Sequence, residues 1–264
     1  GFNVTYVGVD SNGCLDLEQL ATAITDQTLM VSVMHANNEI GVIHPIAKIG
    51  VLCKERGVLF HTDATQSFGK EPIDVNMMEI DLLSASGHKI HGPKGIGVLY
   101  VRRRNPRVRC EPLIYGGGHE RGLRSGTLNV PSIVGMGVAS TFPPDDEVRR
   151  MRDQLEHGIC SQLDGVDING DRTQRLANTT NLSFRGVNGD ELMKRMPDIA
   201  LSSSSACTSA QLQPSYVLGA IKCSEERIAG SVRFSLGRFN TSKEIEVATE
   251  RVVESVKALR DQAS

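Results

Sequence analysis

Three short apolar runs constrain the fold most: LMVSVMH from Leu29, VLFHTD from Val58 and IDLLSAS from Ile80. Each is long enough for one buried strand, and each ends on polar residues. Between the first two lies the stretch from Ile46 to Arg56, where Ile46, Ile49, Leu52 and Cys53 fall on one helical face. Apolar strands that alternate with amphipathic helices predict a mostly parallel sheet covered by helices. NVTYVGV reads as a further strand near the start, CLDLEQLATAI as a helix and GIGVLYVRR as another strand. In such sheets, ligands collect at the carboxyl ends of strands. That rule singles out HANNE (residues 35–39), DATQS (63–67) and SGHK (86–89).

The pattern changes at TFPPDDE, Thr141 to Glu147, where a Pro-Pro pair followed by acids marks a boundary and a helix start. Residues 1–140 are therefore expected to form a large ligand-binding domain, and residues 141–264 a smaller α+β domain. In the second, a helix over about 146–163 precedes the strands VDING and NTTNLSF, and a short helix starts at Gly189. After SSSSACTSA come a helix beyond Pro214, the strand SVRFSLG and a last helix from Thr241.

Composition removes several alternatives. A net charge of −2 gives no general attraction to nucleic acid or anionic lipid. The basic run RRRNPRVR, Arg102 to Arg109, has no interleaved aromatics and reads as a solvated strand end and turn. No apolar run approaches the length of a membrane span. The six cysteines are scattered without a CxxC pair, so no resident metal site and no disulfide framework are expected. A reducing compartment fits that pattern: bacterial cytoplasm, or the matrix of a mitochondrion or plastid.

Lys89 closes an apolar strand beside Ser86 and His88, which could donate to a phosphate. A partly buried lysine readily loses its proton and can form a Schiff base. Asp63 ends the neighbouring strand. It could cap a helix, or it could keep a pyridine nitrogen protonated, which is what pyridoxal phosphate requires. A strand-end Asp followed about 25 residues later by a strand-end Lys favours the second role. The glycines of GGGHERGLRSGTLNVP, Gly116 to Pro131, let backbone approach a ligand, and Arg121, Arg124, Ser125 and Thr127 could reach an anion. Cys207 stands among serines, a threonine and alanines, an unusual place for a core thiol.

NNEIGV, HTDATQS, SGHKIHGPKGIG, GGGHERGLRSGT, SSSSACTSA, PSYVL and VRFSLGRF, in this order, closely resemble NifS/IscS-type cysteine desulfurases of the class-V aminotransferase family. The resemblance covers essentially the whole chain. It implies a type I pyridoxal phosphate fold, an α/β architecture with a small C-terminal domain, and a homodimer. It implies that Lys89 binds the cofactor covalently and moves the substrate α-proton, while Asp63 pairs with the pyridine nitrogen. Gln66 and Asn38 would lie at the ring's O3′, and Asn38 also near the substrate. Ser86, His88 and, across the dimer, Thr127 would hold the phosphate. Arg233 would clamp the substrate carboxylate, a task suited to a planar bidentate donor. Cys207 would take sulfur from L-cysteine as a persulfide, leave L-alanine, and deliver the sulfur to an acceptor such as an iron–sulfur scaffold or a tRNA-thiolation pathway. A transient ligation of an iron–sulfur cluster by Cys207 belongs to the same set of expectations.

The chain departs from the family pattern at Ser204, where the family loop SSGSACTSA has glycine. Family members also carry an upstream segment with a phosphate loop and a ring-stacking histidine, which finds no match here. Residues 1–264 alone are therefore expected to bind pyridoxal phosphate weakly and not to turn over cysteine. Two alternatives stay open at this point: a selenocysteine lyase or other pyridoxal phosphate lyase, and a non-catalytic chain that only dimerises or binds a partner.

Overall fold

The computed structural model describes residues 1–144, 146–203 and 214–263. They form two compact units, one of Ile24–Ala36 and Pro45–Pro144, the other of Gly1–Ala23, Asn37–His44 and Asp145–Ser264.

The expected opening strand NVTYVGV does not form. Residues 1–8 are irregular, and Val9 makes only an isolated bridge to Leu15. Val4 and Tyr6 are strongly exposed, so the alternation has no neighbouring strand to pair with and no face to cover. The first regular element is α1 (Leu17–Ala23), which starts later than expected because Asp16 caps it. Asp16 Oδ1 accepts from the amides of Glu18 at 2.9 Å and Gln19 at 3.1 Å.

The first unit is built on a four-stranded sheet in the order β1 (Met30–Met34), β2 (Leu59–Asp63), β3 (Leu82–Ser86), β4 (Gly97–Val101). The first three strands are parallel, with Met34 opposite Asp63 and Asp63 opposite Ser84. β4 runs antiparallel and sets Gly97 opposite Ser86. The carboxyl ends of β2 and β3 therefore lie side by side. α2 (Ile46–Glu55) packs on β2 and buries Ile46, Ile49, Gly50 and Cys53, close to the face its spacing predicts. Gly50 is required there, since a Cβ would stand 2.0 Å from the carbonyl oxygen of Met78.

Arg102 is not the solvated residue its basic run suggested. It is buried against Asp81 at 3.1 Å and donates to the carbonyl oxygens of Val75 and Ile80. Those bonds tie down the turn between β2 and β3, which explains why an arginine is tolerated inside. After the 103–129 segment, regular only in the 3-10 turn Glu120–Gly122, α3 (Val130–Ser140) packs against the short 3-10 turn Gly87–Ile90.

The second unit begins with α4 (Asp146–Cys160) and continues through β5 (Val166–Ile168), β6 (Thr179–Phe184), α5 (Gly189–Lys194) and β7 (Ser202–Ser203). α6 (Tyr216–Ala220), α7 (Glu225–Ala229), β8 (Ser231–Ser235) and α8 (Ser242–Ala263) complete it. Its sheet has the order β5-β6-β8-β7 and is antiparallel throughout. α4 and α8 pack on one another, and Met151, Leu155, Ile159, Phe184, Phe234 and Val256 lie in one apolar core. α8 starts at a capping box: Glu244 Oε2 accepts from the Thr241 amide at 2.8 Å, and the Glu244 amide donates to Thr241 Oγ1 at 3.3 Å. Residues 37–44 join this unit through the backbone, with Ile43 N donating to Gln174 O and Leu176 N to Gly41 O, each at 2.9 Å.

Candidate active site

In the first unit, Asp63, Gln66, Ser86, His88 and Lys89 all fall just at or beyond the carboxyl ends of β2 and β3. Asp63 is the last residue of β2 and is exposed. Its carbonyl accepts from the His35 amide at 2.8 Å, and its Oδ1 accepts from the Thr65 amide at 2.8 Å. That is a local turn closed by a side chain. No helix follows to be capped, since residues 65–70 form turns, and the turn engages only one carboxylate oxygen.

Lys89 lies in the 3-10 turn directly after β3 and is half-buried. Ser86 Oγ and His88 Nδ1 are hydrogen-bonded at 2.8 Å, so the expected phosphate donors already share one surface. Gln66 is half-buried in the turn after β2. Thr127 is exposed ahead of α3, and among the described residues no hydrogen bond joins it to Ser86 or His88 of its own chain. Arg121 and Arg124 are exposed as well, whereas Ser125 is buried and accepts from the Gly118 amide at 3.2 Å.

Two neighbours of this group were not singled out by their sequence. His61, two residues before Asp63, is held between Ser32 Oγ at 2.8 Å and Ser84 Oγ at 3.3 Å. Burial pushes its pKa down, and the Asp63 charge opposes that shift. The other is Lys70, whose pKa is pushed down to about 8 by burial and further by the charge of Lys89. Gly69 explains the approach. It sits in the left-handed region at φ +72°, and a Cβ there would come within 2.9 Å of Ile90 Cγ2. The loop before Lys70 is thereby pressed onto the turn that carries Lys89. A lone loop lysine gives no sequence signal of this kind.

In the second unit, Asn38 and Arg233 come together: Arg233 Nη1 donates to the Asn38 carbonyl at 2.8 Å. Arg233 lies on β8 opposite Asn181 of β6, and Asn181 Nδ2 donates to the Glu39 carbonyl at 3.2 Å. Asn37 builds the turn that presents these carbonyls, its Oδ1 accepting from the amides of Glu39 at 2.8 Å and Ile40 at 3.1 Å. Cys207 lies outside the described residues. Among the described residues, no group of three or more His, Cys, Asp or Glu side chains is placed to hold a metal ion, and no helix is long and apolar enough to cross a membrane.

The model of the aminotransferase class-V family matches residues 1–247. The chain belongs to that family. Its relatives include a protein named cysteine desulfurase IscS from Ehrlichia chaffeensis, 52% identical over 267 residues, which cover 99% of this chain and 65% of the relative. Another of the same name, from Histophilus somni, is 52% identical over 99% of this chain and 66% of its own length. The chain thus spans just under two thirds of the length of these curated relatives. Among solved structures, a NifS-like protein superposes with a TM-score of 0.85 at 35% identity, covering 97% of this chain and 69% of the other. A structure described as SspA in complex with cysteine superposes with a TM-score of 0.76 at 40% identity, over 91% of this chain and 68% of that one. This class-V member has the type I pyridoxal phosphate fold that the family resemblance implies, and its strand pattern predicted the mostly parallel sheet within it.

Proposed function

We propose that this protein is a pyridoxal phosphate-dependent cysteine desulfurase. The observation that carries this reading is the set of polar side chains at or just beyond the ends of β2 and β3. An exposed carboxylate, a half-buried lysine and a hydrogen-bonded Ser–His pair sit on adjacent strand ends, as a ring nitrogen, an aldehyde and a phosphate would require. The relatives named as cysteine desulfurases and the solved relative described with cysteine support the same substrate class.

In this reading, Asp63, Gln66, Ser86, His88 and Lys89 hold the cofactor, with Asn38 near ring and substrate and Thr127 serving the phosphate of a second subunit. When bound, pyridoxal phosphate supplies an aldehyde for the substrate amine and a ring that draws electrons from the α-carbon. Asp63 keeps the proton on the ring nitrogen through the oxygen that its turn leaves over. Lys89 Nζ removes the α-proton and returns one. Arg233 orients the substrate by its carboxylate. The Cys207 thiolate attacks the substrate sulfur, so one S–S bond forms as the Cβ–S bond breaks. The exchange balances: cysteine leaves as alanine, and the Cys207 thiol becomes a persulfide. That persulfide passes to a sulfur-acceptor protein in iron–sulfur cluster assembly or tRNA thiolation, in a reducing compartment. Residues 1–140 would serve as the cofactor-binding domain and 141–264 as the domain carrying the persulfide cysteine. A homodimer would place Thr127 at its partner's phosphate.

Cys207→Ser tests this. A hydroxyl is a far poorer nucleophile toward sulfur than a thiolate. The variant should still give an L-cysteine-dependent change in visible absorbance while alanine release falls to background. Undiminished alanine release would rule Cys207 out as the sulfur acceptor.

A further inference from the structure

Glu39 is buried at 4% exposure in a unit rich in neutral polar residues, and no step above uses it. Its Oε2 accepts from Ser215 Oγ at 2.5 Å. Ser215 also accepts from the Leu218 amide at 3.1 Å, capping α6, so the hydroxyl is fixed and its proton is directed at Glu39. The Glu39 carbonyl is held by Asn181, and the adjacent Asn38 carbonyl accepts from Arg233. Arg233 Nε is buried and has no hydrogen-bond partner among the described residues. The guanidinium is thus anchored at one nitrogen and keeps donor capacity for a ligand.

We propose that Glu39 is the positioning acid of Arg233: it locks the 37–40 turn that anchors the guanidinium, and it takes up a proton from solvent when a carboxylate binds Arg233. This rests on the reading of Arg233 as the substrate-carboxylate site.

The charges around Glu39 set the direction. Burial pushes its pKa up, while the Ser215 hydroxyl and the Arg233 charge pull it down. From β8 the charged neighbour is Arg233. β6 presents the neutral Asn181, and the head of α6 presents Ser215. The apolar cluster of Ile40, Val217 and Leu218 brings only the Cys14 and Cys223 thiols, both pushed up by burial. A bound carboxylate cancels the Arg233 charge, so the Glu39 pKa rises again in the complex. A group whose pKa is higher in the complex makes binding tightest below its free-state pKa. Affinity is then lost as pH rises toward the pKa of the complex, at most about tenfold per pH unit. With its turn pinned from three sides, Glu39 answers by taking a proton rather than by moving.

The probe is 3-mercaptopropionate, a carboxylate that resembles the substrate but lacks its amine. Its binding to the holoprotein is followed by calorimetry across pH, in two buffers of different ionisation enthalpy. The wild type should take up as much as about one proton per site and bind more weakly as pH rises. Glu39→Gln should lose both the uptake and the slope, and at pH 8 should bind the probe more tightly than the wild type. Ser215→Ala removes a group that holds the carboxylate down, so it should move the uptake to higher pH; this decides the matter if Glu39→Gln fails to fold. Arg233→Ala should lose probe binding. If Arg233→Ala binds normally, the carboxylate assignment fails, and this inference with it. If Arg233→Ala loses binding but Glu39→Gln keeps wild-type uptake, or Ser215→Ala leaves the uptake unmoved, the role of Glu39 is overturned and the desulfurase reading stands.

Discussion

In the parallel-sheet unit, Asp63 is exposed at a strand end and spends one oxygen on a local turn. In the antiparallel unit, Asn169, Asn181, Ser183 and Ser231 are buried and satisfy one another, with Asn169 Nδ2 donating to Asn181 Oδ1 and Ser183 Oγ at 2.7 Å each. The first unit leaves polar groups at its surface and half-buried lysines side by side, an arrangement whose like charges an electrophilic, anionic ligand would relieve. The second pairs most of this polarity internally, and Arg233 is anchored on the Asn38 carbonyl while its Nε stays unpartnered among the described residues. Open chemistry in one unit and preorganised recognition in the other would suit the cofactor-dependent reaction proposed above.

The largest expected effect is in the first unit. Lys89→Ala should reduce alanine release by roughly 10³-fold or more, the scale of a lost proton-transfer group, while Asp63, Ser86 and His88 still retain cofactor. Borohydride reduction and peptide mapping of the wild type should place the pyridoxyl group on Lys89. A label on Lys70 instead would transfer the role to the other lysine, whose pKa of about 8 also favours the free amine.

In the second unit the corresponding test is structural. Arg175 and Glu156 form a buried two-bond pair at 2.5 and 2.8 Å. Arg175→Ala leaves a buried carboxylate unpaired and should destabilise by about 3–5 kcal/mol, read by chemical denaturation. Loss of activity without loss of stability would mean that this unit is less rigid than its bonds imply.

Asp63→Asn comes next, with a rate loss on the order of 10²-fold and a smaller loss of bound cofactor. Asparagine can still accept from the Thr65 amide, so the turn should survive. An amide cannot hold the ring nitrogen protonated. Normal turnover would reduce Asp63 to a turn former.

How much of this was visible in the sequence follows from the kind of signal involved. Strand runs and helix faces carry periodicity, so β1 to β3, α2 and the alternation were readable, as was the strand-end position of Asp63; Lys89, expected to close its strand, instead follows β3 in a 3-10 turn, because the strand stops at Ser86. NVTYVGV has the period but no neighbour, and period alone does not make a strand. Arg102 looked solvated because a basic run cannot show that one member bonds carbonyls from a segment more than twenty residues away. Glu39 stood inside a quoted motif, yet its burial depends on Ser215 and Arg233, which lie far along the chain. Lys70 was hidden for the same reason: its perturbation comes from Lys89.

The smallest effect compares the two sheets directly. Thr62 on β2 and Thr180 on β6 are both fully buried, and neither hydroxyl has a hydrogen-bond partner among the described residues. Thr62→Val and Thr180→Val should each raise stability by about 1 kcal/mol, since valine keeps the shape and removes an unsatisfied group. A loss at Thr62 alone would indicate that its hydroxyl serves the ligand side of the sheet.

The proposed function stands or falls on transfer of sulfur from L-cysteine to Cys207. Mass spectrometry of peptides from the holoenzyme, taken after a short exposure to L-cysteine and trapping of thiols, tests it most directly. One added sulfur atom is expected on the peptide containing Cys207, with an equal yield of alanine. Cys53 should stay unmodified, because burial and the Asp81 charge push its thiol up to about 11. Alanine formed with no sulfur on Cys207, or sulfur carried by Cys14, Cys110, Cys160 or Cys223 instead, would rule out Cys207 as the sulfur acceptor.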